Sequence, residues 1–115
     1  MTKYLLAMYQ PDGDPPPPEI LDPIMQALGR INAEMRAACA WVFAAGLEPQ
    51  TSVARARDGK VVTTDGPYVE SKEHLGGFTI VDVADRGDAE AWAARYAEVT
   101  GLPIEVRLLH DRTEA

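Results

Sequence analysis

The sequence predicts an α+β domain, an antiparallel sheet carrying two helices on one face. Three observations lead there. Short apolar runs of strand length are bounded by proline, glycine and aspartate; two longer segments carry apolar residues at helical spacing; and together they give the order β-α-β-β-β-α-β. The length of 115 residues fits one domain over residues 1–115 and leaves no room for a second. Apolar residues at 46% and charged residues at 25% are the proportions of a soluble globular chain, which excludes disordered and fibrous classes.

Lys3 to Tyr9 (KYLLAMY) is a short apolar run closed by Pro11, Asp12 and Gly13, and reads as a buried strand. Four consecutive prolines at 15–18 then fix φ and remove amide donors, which makes this segment an extended surface connector. Asp22 followed by Pro23 reads as a helix cap and first helical position. Ile24, Leu28, Ile31, Met35, Ala38 and Val42 share one helical face, so a helix of about six turns is expected, ending at Gly46. Cys39 falls within it and is expected to be a small core residue.

Thr51–Arg57 and Lys60–Thr64 flank Asp58-Gly59, the dipeptide that suits a two-residue type I′ turn, and form a hairpin. Gly77–Ala84 (GFTIVDVA) reads as a strand with Phe78 and Ile80 on one face and Thr79, Val81 and Val83 on the other. Asp88 is read as the cap of a second helix, with Ala89, Trp92, Ala93, Tyr96 and Val99 inward and Gly101 and Pro103 at its end. Ile104–Leu109 alternates as the last strand. Reduced to its core, this order is the ferredoxin-like β-α-β-β-α-β plan. With both helices on one side and strands apolar on both faces, the other side of the sheet would stay bare, and a homodimer packed sheet to sheet is expected to cover it.

No apolar run approaches the roughly 20 residues of a membrane span, and the first residues lack a signal pattern, so a cytoplasmic protein with no membrane partner is expected. The 18 acidic residues against 11 basic ones, a net charge of −7, argue against a nucleic-acid partner. The single cysteine excludes an internal disulfide, and His74 and His110 lack metal-ligand spacing, so no metal and no cofactor is expected.

The segment Asp65–Phe78, DGPYVESKEHLGGF, is the most distinctive in the chain. Asp65-Gly66-Pro67-Tyr68, then Glu70-Ser71-Lys72-Glu73, then Leu75-Gly76-Gly77-Phe78 resemble the signature of the DGPF subgroup of YCII-related proteins, with tyrosine for the last residue of the name. The resemblance runs from Lys3 to about Leu109. It implies a ferredoxin-like subunit paired as a dimeric α+β barrel, and an activity that is not settled. Some relatives carry a His-Asp pair at a pocket, one branch resembles a dehydrochlorinase of chlorinated aromatics, and DGPF members are often encoded beside extracytoplasmic-function sigma factors. The N-terminal histidine of that pair has no counterpart here, since the two histidines are His74 and His110. The resemblance does not fix a histidine at position 74.

The residues themselves suggest a cleft binding a small organic molecule. Pro67 stiffens the bend after Asp65, so this carboxylate is the candidate acid or base; Tyr68 and Lys72 are candidates to polarise a ligand. Glu70 adds charge, Gly76 and Gly77 permit close approach or positive φ, and Phe78 would form a wall. The plainer reading makes Asp65 a turn cap, the trio Glu70, Lys72 and Glu73 a solvated loop, and Tyr68 and Phe78 core. A rival function is a non-catalytic regulatory module linked to a sigma factor.

Overall fold

The computed structural model describes residues 1–113. Its elements are β1 (Thr2–Pro11), α1 (Pro18–Ala37), β2 (Trp41–Gly46), β3 (Ser52–Arg57), β4 (Lys60–Asp65), β5 (Glu73–Val83), α2 (Arg86–Thr100) and β6 (Ile104–Leu108). Four strands form one antiparallel sheet in the order β2-β5-β1-β6, and β3 and β4 pair apart from it. Without the hairpin, this is the ferredoxin-like split βαβ arrangement.

The first helix differs from the sequence expectation at both ends. It starts at Pro18, because Pro17 is already extended (φ −64°, ψ 158°) and its carbonyl accepts from Ile20 and Leu21. Pro18 takes the place where a missing amide costs nothing, and Asp22-Pro23 lies inside the helix. The helix stops at Ala37, nine residues before Gly46, because Cys39 turns the chain at φ 60°. Cys39 is therefore exposed in a turn and not in the core. Trp41–Gly46, expected as the last helical turns, is a strand at the sheet edge, tied to α1 by Arg36 stacked 4.6 Å over the Trp41 ring.

The cap of α2 also moves: Asp85, not Asp88, accepts with its carboxylate, from the Asp88 amide at 2.9 Å. Gly101 ends α2 at φ 71°, the left-handed position that glycine adopts without penalty. The Asp58-Gly59 turn is as expected, with both residues at positive φ (52° and 78°).

The core lies between the sheet and both helices. Tyr4 and Leu6 of β1 and Val81 and Val83 of β5 meet Ile31 and Met35 of α1 and Ala89, Ala93 and Tyr96 of α2. The Tyr96 hydroxyl donates to Asn32 Oδ1 across the helix pair. Burial pushes the Tyr96 phenol above its ordinary value of 10.0, against the opposing pull of Thr79 and Arg95. A raised folded-state value means that the native chain holds this proton more tightly than the unfolded one. The contribution is whole below about pH 10 and is lost as pH climbs through the folded value. Urea unfolding at stepped alkaline pH should show stability falling there, and Tyr96→Phe should flatten that part of the profile.

The opposite face of the sheet carries Leu5, Ala7, Phe43, Ala45, Phe78 and Ile80, as cross-strand register and strand alternation place them. Phe43 is 52% exposed, and its ring lies 6.0 Å from that of Phe78. Lys3 and Asp82, then Glu105 and Arg107, border this patch. Asp82 Oδ1 is buried and has no hydrogen-bond partner among the described residues. The chain measures 50 × 43 × 18 Å with a radius of gyration of 16.5 Å, against about 13 Å for a compact domain of this length. It is one sheet and one helix layer thick, with the hairpin touching neither.

Candidate functional site

The ends of β1 and β5 build the site. Their register runs Met8 opposite Gly77, then Tyr9 opposite Leu75, so Gly76 is an extra residue that bulges from β5. A bulge re-aims the side chains beyond it. Past it, Gln10 pairs with His74 and Pro11 with Glu73, and the Asp12 amide donates to the Lys72 carbonyl at 2.9 Å. That last backbone bond places the Asp12 carboxylate beside the imidazole. Asp12 Oδ1 lies 2.7 Å from His74 Nδ1, and Gln10 Nε2 lies 3.2 Å from His74 Nε2.

Tyr9, Asp12 and Lys72 to Leu75 form one wall of a groove of about 1100 Å³, and Gln10 is not part of that lining. The opposite side comes from Leu47 to Thr51, at the base of the hairpin, and from Pro67 and Val69 on its return. Tyr9, Leu47, Pro49, Val69 and Leu75 give an apolar lining, and Asp12, Glu48, Glu73, Lys72 and His74 give a polar one. Three carboxylates against one ammonium leave the groove negative when the imidazole is neutral. Among the described residues, no group of three histidine, cysteine, aspartate or glutamate side chains is arranged to hold a metal ion.

Of the candidate site residues Asp65, Tyr68, Glu70, Lys72, Gly76, Gly77 and Phe78, the groove lining takes Lys72, together with Glu73 of the charged trio. Asp65 ends β4 opposite Ser52, is exposed, and lines nothing in the groove. Tyr68 is 72% exposed with Arg55 stacked 5.3 Å over its ring, so it is neither core nor groove wall. Glu70 is exposed and outside the lining, and Phe78 faces the bare side of the sheet with Phe43.

The glycines act through space and not through positive φ. A Cβ on Gly77 would lie 2.9 Å from the Ala45 carbonyl oxygen, and one on Gly76 would lie 2.4 Å from Gln10 Cδ. Gly66 donates to the Thr51 carbonyl at 3.0 Å and closes the hairpin base, ahead of a cis Gly66–Pro67 peptide. His110 is exposed and takes no part in the groove.

Asp12 and Gln10 were not singled out in the sequence. The available signal was the pairing of two strand ends, which brings residues 62 positions apart into contact. Fold and site together define a small ferredoxin-like α+β domain with a His-Asp pair at the rim of an open groove. The chain belongs to the YCII-related domain family, whose profile matches residues 1–110. No curated protein matches the chain. Among the described residues, no helix is long and apolar enough to cross a membrane.

Proposed function

We propose that this protein binds a small, uncharged organic molecule in the groove and uses the Asp12–His74 pair to move a proton on it. The observation that carries this reading is the 2.7 Å contact between Asp12 Oδ1 and His74 Nδ1 at the wall of an apolar-lined groove. A carboxylate on Nδ1 fixes the ring and its tautomer and stabilises the imidazolium that forms when Nε2 takes a proton. An excess of carboxylates in the lining disfavours anionic ligands. Lys72, the one lysine of the lining, would orient a carbonyl or hydroxyl of the bound molecule. Membership of the DGPF subgroup is part of the same reading, supported by the Asp65-Gly66-Pro67-Tyr68 and Leu75-Gly76-Gly77-Phe78 runs. So is a homodimer joined through the bare sheet face.

Thermal-shift screening against uncharged metabolites is the test. A compound present at 100 times its Kd should add about 2.7 kcal/mol to stability. His74→Ala should lose at least tenfold in affinity for it, whereas Asp65→Asn should not. Affinity unchanged in His74→Ala and reduced in Asp65→Asn would move the site to the hairpin base. No stabilising compound, together with capture of a transcription component, would favour a regulatory module linked to a sigma factor.

A further inference from the structure

We propose that Gln10 is a positioning residue that sets the tautomer of His74 from the side opposite Asp12, and that Gly76 is the seat that makes this possible. The inference rests on the reading of Asp12 and His74 as the working pair. His74 has a partner on each ring nitrogen: Asp12 Oδ1 at 2.7 Å from Nδ1 and Gln10 Nε2 at 3.2 Å from Nε2. A carboxylate can only accept, so Nδ1 donates to it. The amide nitrogen of glutamine can only donate, so Nε2 must then be the bare, accepting nitrogen. The two contacts agree on one neutral tautomer, with the proton on Nδ1 and the lone pair on Nε2.

Gly76 explains how Gln10 reaches this place. As the bulged residue of β5 it has no side chain, and the Gln10 side chain lies where one would be: a Cβ would stand 2.4 Å from Cδ, 2.6 Å from Oε1 and 2.8 Å from Cγ. Any other residue at 76 would force the amide away from the imidazole.

The arrangement defines what a ligand must offer. Gln10 occupies the basic nitrogen, so a ligand that engages Nε2 must present an O–H or N–H donor in place of the amide. When His74 takes up a proton both ring nitrogens donate, and Gln10 must rotate its amide to offer Oε1 instead. The other charged groups at this rim are Glu73 and Lys72 beside His74, and Glu48 across the groove.

The test is long-range proton–nitrogen NMR of the 15N-labelled protein at a pH where the rings are neutral, with exposed His110 as the internal reference. Wild-type His74 should show a protonated Nδ1 and a pyridine-like Nε2. Gln10→Ala removes the donor. Gly76→Ala keeps it but displaces it, and because the obstructing group is a flexible side-chain end, the fold should survive. Each should move the tautomer ratio about fivefold toward the Nε2–H form, the effect of losing one hydrogen bond. If both leave the ratio unchanged while Asp12→Ala shifts it, the Gln10 proposal fails and the Asp12–His74 pair stands. If Asp12→Ala leaves it unchanged while Gln10→Ala and Gly76→Ala shift it, the pair fails and Gln10 stands. A wild-type His74 protonated on Nε2 overturns both.

Discussion

Replacing Leu6 by alanine should destabilise the protein by about 3 kcal/mol, within the range of 2–5 kcal/mol found for emptying a packed leucine site. Leu6 is 2% exposed, on the strand between β5 and β6, opposite Thr79 on one side and Val106 on the other. Hydrogen-bonded neighbours on both edges hold β1 in place, so the void cannot close by moving the strand, and the cavity term should be retained. For a domain of this size the loss corresponds to a drop of roughly 12 °C in Tm. Calorimetry at one fixed protein concentration checks it, since self-association would make Tm depend on concentration. A loss under about 1 kcal/mol would contradict the packing described for β1.

Phe43→Asp should separate the proposed dimer without unfolding the subunit. In the single chain Phe43 is half exposed on an edge strand, and a carboxylate there stays solvated. Between two sheets it would become a buried, unpaired charge, which costs about 3–5 kcal/mol. That is a rise of a hundredfold or more in the dimer Kd. Sedimentation should find wild type dimeric and the variant monomeric at the same micromolar concentration, with matching circular dichroism. A second copy suits this face because its border carries both signs of charge, Lys3 and Arg107 with Asp82 and Glu105, which lets a two-fold contact be self-complementary. Wild type sedimenting as a monomer at tens of micromolar would remove the proposal.

What the sequence discloses divides by the range of the interaction that decides it. The hairpin follows from Asp58-Gly59, and the end of α2 from Gly101, because each is settled by backbone freedom at one or two positions. The cap of α2 lies three residues before the Asp88 that the sequence suggests, because Asp85 and Asp88 are both good caps and only the fold decides which carboxylate meets which amide. The edge strand β2 was hidden: Ala38 and Val42 continue the helical spacing, and the break falls on Cys39, a residue that seldom takes positive φ and so gives no stop signal. The bare sheet face could be read from strands apolar on both sides.

The site was less accessible. Residues 65–78 do border the groove, through Pro67, Val69 and Ser71 to Leu75, but the most conspicuous members, Asp65 and Tyr68, point elsewhere. The glycines of the motif shape backbone approach. The pair with chemical potential depends on a register shift of one residue at Gly76, a long-range pairing that no local pattern specifies.

The hairpin has one further consequence. Its two strands contact each other and no other strand or helix, and all but Val53 of their residues are exposed. A lone two-stranded ribbon is marginal in water. Its amides therefore belong to the fast-exchanging end of the molecule's hydrogen-exchange spectrum, far below the protection of β1 and β5. The groove wall at Leu47 is set apart from this, because its amide donates to the Gly76 carbonyl of β5 at 2.9 Å and so stays with the main sheet when the ribbon frays.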